Sequence, residues 1–119
     1  MVEINWNKEK DGVEVKTNEY HFLICNLPDY GLSWFDAKIL CESLNVYIPS
    51  VEELQVVSKY LKEINKCFEE NDGYLLNNGN FWVDSEYNSF INKIVNINDG
   101  NVDGRYKDFS EIVRYFEKI

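Results

Sequence analysis

Residues 33–68 read SWFDAKILCESLNVYIPSVEELQVVSKYLKEINKCF, and two helix starts are written into them. Ser33 stands three residues before Asp36, so its hydroxyl is placed to accept from the free N–H groups of a first helical turn while the acid favours the positive helix end. Trp34, Ala37, Leu40, Cys41 and Leu44 then recur at helical spacing opposite Asp36, Lys38, Glu42 and Ser43. This spacing predicts a helix over 34–44. The second start is Ser50 with Glu53 three residues on, behind a proline that keeps the chain extended before the cap. Val51, Leu54, Val57, Leu61, Ile64 and Phe68 run down one side, and Lys59, Lys62, Glu63, Lys66, Glu69 and Glu70 form a solvated remainder. One helix is expected from 51 to the Asn71-Asp72-Gly73 stop.

Outward from this pair the period is that of strands. Val2–Trp6 and Val13–Lys16 alternate on either side of the turn signal Lys10-Asp11-Gly12. Tyr20–Cys25 is a more apolar strand, closed by a segment containing Pro28 and Gly31. On the far side, Asn77-Asn78-Gly79-Asn80 leads into a strand at Phe81–Ser85, with another at Phe90–Ile97. A loop follows at Asn98–Gly104, and a closing strand at Ile112–Phe116. Strands and helices are segregated, which predicts an α+β fold with a mostly antiparallel twisted sheet under two helices, and excludes Rossmann and flavodoxin plans.

Composition sets the outer limits. One hundred and nineteen residues make one domain, 1–119, and 45% hydrophobic residues exclude disorder. The 12 basic and 21 acidic residues leave a net charge of −9. Such a field repels phosphate backbones and anionic lipid, so no direct nucleic-acid or membrane partner is expected, whereas a basic protein partner is favoured. No apolar stretch is long enough for a signal or a membrane span, from which a cytoplasmic chain is expected. Cys25, Cys41 and Cys67 lack disulfide or zinc spacing and read as reduced thiols. The single histidine, His21, lies in an apolar strand, so no catalytic residue, metal site or cofactor is assigned. There is no phosphate loop, no deaminase signature and no internal repeat.

Trp34-x-x-Ala37-x-x-x-Cys41, Ile48-Pro49-Ser50-x-x-Glu53-Leu54, Phe81-Trp82-x-x-Ser85 and Asp99-Gly100 before an Arg-bearing final strand together span residues 31–116. This set resembles the DUF1566 (Lcl C-terminal) group of C-type-lectin-like domains. Ile48 and Ser50 replace that group's Leu and Thr, Val46-Tyr47 stands where it has Trp-Arg, and Asn45 where it often has glycine. The resemblance implies a C-type-lectin-like scaffold whose late loops recognise a ligand, without the catalysis of the much longer formylglycine-forming relatives. The calcium turns of sugar-binding members are missing, since Leu27-Pro28-Asp29 and Trp82-Val83-Asp84 lack the paired oxygen donors. Asp99–Gly104 matches only the first half of an EF-hand loop, with Ser110 where the bidentate Glu belongs, and reads as a plain hairpin turn rather than a cation site.

The recognition surface expected on this basis is formed by Tyr74, Asn77, Asn78, Asn80, Tyr87, Asn88, Asn101, Arg105 and Tyr106, tyrosine giving contact area at low entropy cost and asparagine adaptable hydrogen bonds. Trp34 and Trp82 read as core anchors instead. Two functions follow: a non-catalytic module binding a protein or glycan through these loops, or a small acidic inhibitor, phage-encoded or bacterial, that mimics nucleic-acid charge on a basic protein. Convergence of Glu3, Glu9, Asp11, Glu14, Glu69, Glu70 and Asp72 on one face would favour the second.

Overall fold

A computed structural model describes all 119 residues as an α+β fold with three helices and two sheets. Strands β1 (Glu3–Asn7), β2 (Gly12–Lys16) and β3 (His21–Cys25) form an antiparallel meander, and β4 (Tyr30–Leu32) follows. Helices α1 (Trp34–Leu44), α2 (Val51–Lys59) and α3 (Leu61–Glu70) come next. Strands β5 (Asn80–Glu86), β6 (Ile91–Asn96), β7 (Val102–Tyr106), β8 (Glu111–Val113) and β9 (Phe116–Glu117) complete the chain. One sheet has the order β1-β2-β3-β9, the other β4-β8-β5-β6-β7, and the only parallel pairing is β5 with β8.

Both caps form as their spacing requires. The Asp36 N–H donates to Ser33 Oγ at 3.2 Å, and Asn45, left-handed at φ 56°, ends α1 where a Cβ is tolerated best in asparagine. Ser50 and Glu53 form a reciprocal capping box at 2.9 and 3.1 Å, and the free Glu53 oxygen accepts from Tyr47 Oη at 2.8 Å.

Five expectations are corrected. The helix expected from 51 onward is two, broken at Tyr60, whose φ of −116° leaves the helical range. The apolar spacing Val57, Leu61, Ile64 passes through the break unchanged and no Pro or Gly marks it, so periodicity reads a single helix. The single sheet is two, because the closing strand divides: β8 lies in one sheet and β9 in the other, with Arg114 and Tyr115 at the crossing. The segment expected to close β3 contains the short β4, and the expected 98–104 loop contains most of β7, since its polar Asn-Asp-Gly composition masks a hairpin edge. Leu44 is exposed, not buried, in the capped last turn of α1.

Strands β5, β6 and β8 of the five-stranded sheet are covered on both faces. On one, Phe81, Val83, Val95 and Ile97 pack with Leu54, Val57, Ile64 and Phe68 of α2 and α3 and with Val13, Val15, Phe22 and Ile24 of the first sheet. On the other, Trp82, Ile94, Val113 and Tyr115 pack with Trp34, Ala37 and Cys41 of α1. Trp34 and Trp82 are core anchors, with rings 5.9 Å apart.

Strand alternation through Val113-Arg114-Tyr115-Phe116 sends Val113 and Tyr115 to one cluster and Phe116 to the other. Arg114 therefore points inward and is fully buried. Its Nε donates to Asp29 at 2.9 Å, Nη1 to the Cys25 carbonyl, and Nη2 to the carbonyls of Tyr74 and Leu75, while the guanidinium lies 5.2 Å from the Phe68 ring. Burial pulls the Arg114 pKa down and Asp29 opposes this. Gly73 permits the approach of the 71–79 segment, since a Cβ there would meet Asn26 Oδ1 and Phe68 Cδ1 at 2.9 Å.

Removing one partner of a buried pair strands the other charge. Asp29→Ala is therefore expected to cost about 3–5 kcal/mol in urea unfolding, against about 1 kcal/mol for the cap variant Ser50→Ala. Equal costs would contradict the role given to this pair.

Candidate interaction surface

The recognition residues expected from the sequence fall into three places. Tyr74, Asn77 and Asn78 lie in the segment clasped by Arg114, where the Tyr74 and Asn77 amides donate to Asn26 and Asp29 at 2.9 and 2.8 Å. Asn80 and Asn101 sit at one end of the β5-β6-β7 meander, Asn80 accepting from Asn96 and the Asn101 amide donating to Asp99. Tyr87, Asn88, Arg105 and Tyr106 sit at or toward the other end. Asn88 is occupied there, its side-chain oxygen accepting from the Phe90 and Ile91 amides at 2.8 and 2.9 Å. Arg105 pairs with Glu111 at 2.6 Å, and Tyr87 lies beneath the Lys93 ammonium. Of these asparagines Asn88 alone sets a turn with its side chain, while Asn77, Asn78 and Asn101 keep exposed side chains. The Asp99–Gly104 stretch is a hairpin turn running into β7, with Asp99 and Asp103 each bonded to a nearby backbone amide.

What the fold does assemble is aromatic. Phe35 of α1, Phe90 of the β5–β6 turn, Tyr106 of β7 and Phe109 are each more than half exposed. Phe35, Phe90 and Tyr106 line a cleft of about 280 Å³ with Ser89, Lys107 and Asp108. Phe109 stands against Tyr106 with ring centroids 5.6 Å apart. Ile39, one turn along α1 from Phe35, is 66% exposed and extends this apolar side of the helix.

The backbone at Lys107 holds the cleft together. Its N–H donates to the Phe90 carbonyl and its carbonyl accepts from the Trp34 amide, both at 2.9 Å, so three separate elements meet at one residue. The Lys107 side chain is buried against this junction and ends on Glu86 at 2.7 Å. Leaving rings in water forfeits about 1.5–3 kcal/mol for each that could have been buried. A grouped set of this kind marks a contact surface, where a lone exposed ring would not.

Of these residues only Tyr106 was expected. A signal for Phe35 and Ile39 was present, since both lie off the apolar stripe of α1, where an apolar side chain has no core to enter. Phe90 and Phe109 carry no such mark, because their exposure follows from turn geometry.

No three His, Cys, Asp or Glu side chains converge on a point. His21 lies on the outer face of the first sheet, 2.6 Å from Glu14, whose carboxyl is held below the ordinary range by His21 and then by Asn7. No protein-family model matches the chain, and no curated protein matches it.

All three thiols are unpaired. Burial raises each pKa, that of Cys25 to about 11, which removes the thiolate from neutral solution. Iodoacetamide at neutral pH is expected to label none rapidly in the native protein and all three in urea, Cys67 being the first natively because it is the least buried. Rapid native labelling of Cys25 would contradict this packing.

Proposed function

We infer that this chain is a non-catalytic recognition module that binds a protein through the aromatic cleft of Phe35, Phe90, Tyr106 and Phe109. The observation that carries this reading is four exposed rings, drawn from α1, the β5–β6 turn, β7 and the segment after it, and gathered at one end of the sheet. Aromatic anchors of this kind dominate protein interfaces because each buries a large area with few rotatable bonds.

Charge defines the ligand further. The cations near the cleft are engaged: Lys107 on Glu86, Lys38 on Asp84, Arg105 on Glu111 and Lys93 over the Tyr87 ring. Asp36 and Asp108 flank it without a salt-bridge partner, and the net charge is −9. The ligand accordingly presents apolar side chains ringed by Lys or Arg. Alternation along β1 and β2 turns Glu3 and Glu14 away from the core, whereas Glu69 and Glu70 belong to α3 on the opposite layer. Glu3 and Glu14 are thus parted from Glu69 and Glu70, while Asp11 and the turn at Asp72 meet at Asn26 where the layers join. The separation of the four supports recognition through the cleft over nucleic-acid mimicry by one anionic face.

The C-type-lectin-like kinship belongs to the same reading. It is supported by first and last strands that share one sheet, and by an α1–α2 pair introduced by the Trp34 and Pro49 motifs. Three free thiols support a reducing compartment.

Capture from the native host with wild type and with Phe90→Ser/Phe109→Ser, followed by titration of the recovered partner, tests the proposal. The variant should lose about tenfold or more in affinity while its stability changes by less than about 0.5 kcal/mol. Undiminished binding by the variant would overturn it, as would capture of a glycan instead.

A further inference from the structure

The five-stranded sheet ends on β7, whose one hydrogen-bonded neighbour is β6. The Asn96 amide donates to the Asn101 carbonyl, and the Lys107 amide to the Phe90 carbonyl, so odd-numbered residues of β7 bond inward to β6. Antiparallel alternation then turns the backbone groups of Val102, Gly104 and Tyr106 outward. The Tyr106 carbonyl accepts from the Phe109 amide within its own turn, and the Gly104 amide is held by the Asp103 carboxylate at 2.8 Å. The Val102 and Tyr106 amides and the Val102 and Gly104 carbonyls are left facing solvent.

The strand reads Val102-Asp103-Gly104-Arg105-Tyr106, and it is complementary to itself when reversed. We propose that two copies of this chain associate edge to edge through β7, antiparallel about a two-fold axis at Gly104. That register sets Val102 opposite the second copy's Tyr106, Gly104 opposite Gly104, and Asp103 opposite Arg105, twice over by symmetry. The outward-facing residues become the hydrogen-bonded pairs and the charged ones the closely spaced pairs between them, as antiparallel geometry requires. The Asp103 carboxylate leaves the Gly104 amide for an Nη group of the opposing Arg105, whose Nε keeps its 2.6 Å contact with Glu111, and the freed amide takes the opposing Gly104 carbonyl. The Tyr106 carbonyl, bonded to the Phe109 amide on one lone pair, accepts the opposing Val102 amide on the other.

Glycine suits the axis. A Cβ there would meet Ile91 Cγ2 at 2.9 Å and the Tyr87 ring at 3.1 Å, so that ring covers the strand where a side chain would otherwise stand. No other sheet edge offers the same match. Strands β4 and β9 have three and two residues, and a two-fold at Asn5 of β1 would set Glu3 against Asn7 with no opposite charge. Five residues of edge bury little area and each copy carries −9, so the association belongs to the weak, transient class. The two clefts lie at opposite ends of the joined strands, which gives the assembly two binding sites for a multivalent partner.

Sedimentation velocity on the intact chain should show a reversible monomer–dimer equilibrium. The Val102 and Tyr106 amides should gain protection from hydrogen exchange as concentration rises. Asp103→Lys alone and Arg105→Glu alone each place like charges opposite one another twice, and each should weaken association about tenfold. An equal mixture of the two variants restores opposite charges at both positions and should recover the dimer. A monomer at every concentration, unchanged exchange at Val102 and Tyr106, or a mixture no better than either variant would overturn the proposal. Should Arg105→Glu fail to fold, Asp103→Lys and the wild-type exchange measurement decide between the same two results.

Discussion

The Arg114 guanidinium is the constraint on which the remaining structure hangs. It sits where the chain passes from the five-stranded sheet to the four-stranded one, and it binds Asp29 of the β3–β4 connection, the end of β3, and the backbone before β5. A buried charge is a weak source of net stability, because desolvation cancels most of the attraction. Its value here is in specification. An apolar residue at 114 could pack in many ways, whereas a planar donor with four acceptors in place accepts one arrangement of the segments around it.

With the sheets fixed in this way, β5, β6 and β8 carry a hydrophobic layer on each face, while β7 lies beyond both layers and stays largely exposed. Aromatic residues at its turn end are therefore left outside. The two backbone hydrogen bonds at Lys107 tie them to α1 and to the β5–β6 turn, both rooted in the Trp34–Trp82 layer. These bonds hold the surface rigid before any partner arrives. Ordering it on binding would cost about 0.5–1.5 kcal/mol for each side chain immobilised.

Much of the scaffold was legible in the sequence, for reasons that can be named. Ser33 and Ser50 mark helix starts through local hydrogen bonds that act within four residues, and the α1 stripe is read from local periodicity. The break at Tyr60 and the division of the last strand depend on tertiary packing, which local pattern does not encode. Asp29 enters the sequence reading only in a turn without calcium donors, because its partner is 85 residues away. The candidate surface was less legible still. Asn88 is spent on a turn, while Phe35 and Phe90 are brought to Tyr106 only by the long-range backbone bonds at Lys107.

Native-state hydrogen exchange at the Trp34 and Lys107 amides tests the rigidity of the aromatic surface most directly, because these two groups make the bonds that assemble it. Opening free energies close to that of global unfolding are expected, matching amides in the middle of β6. Exchange at nearly the rate of an unstructured peptide, with β6 still protected, would contradict it.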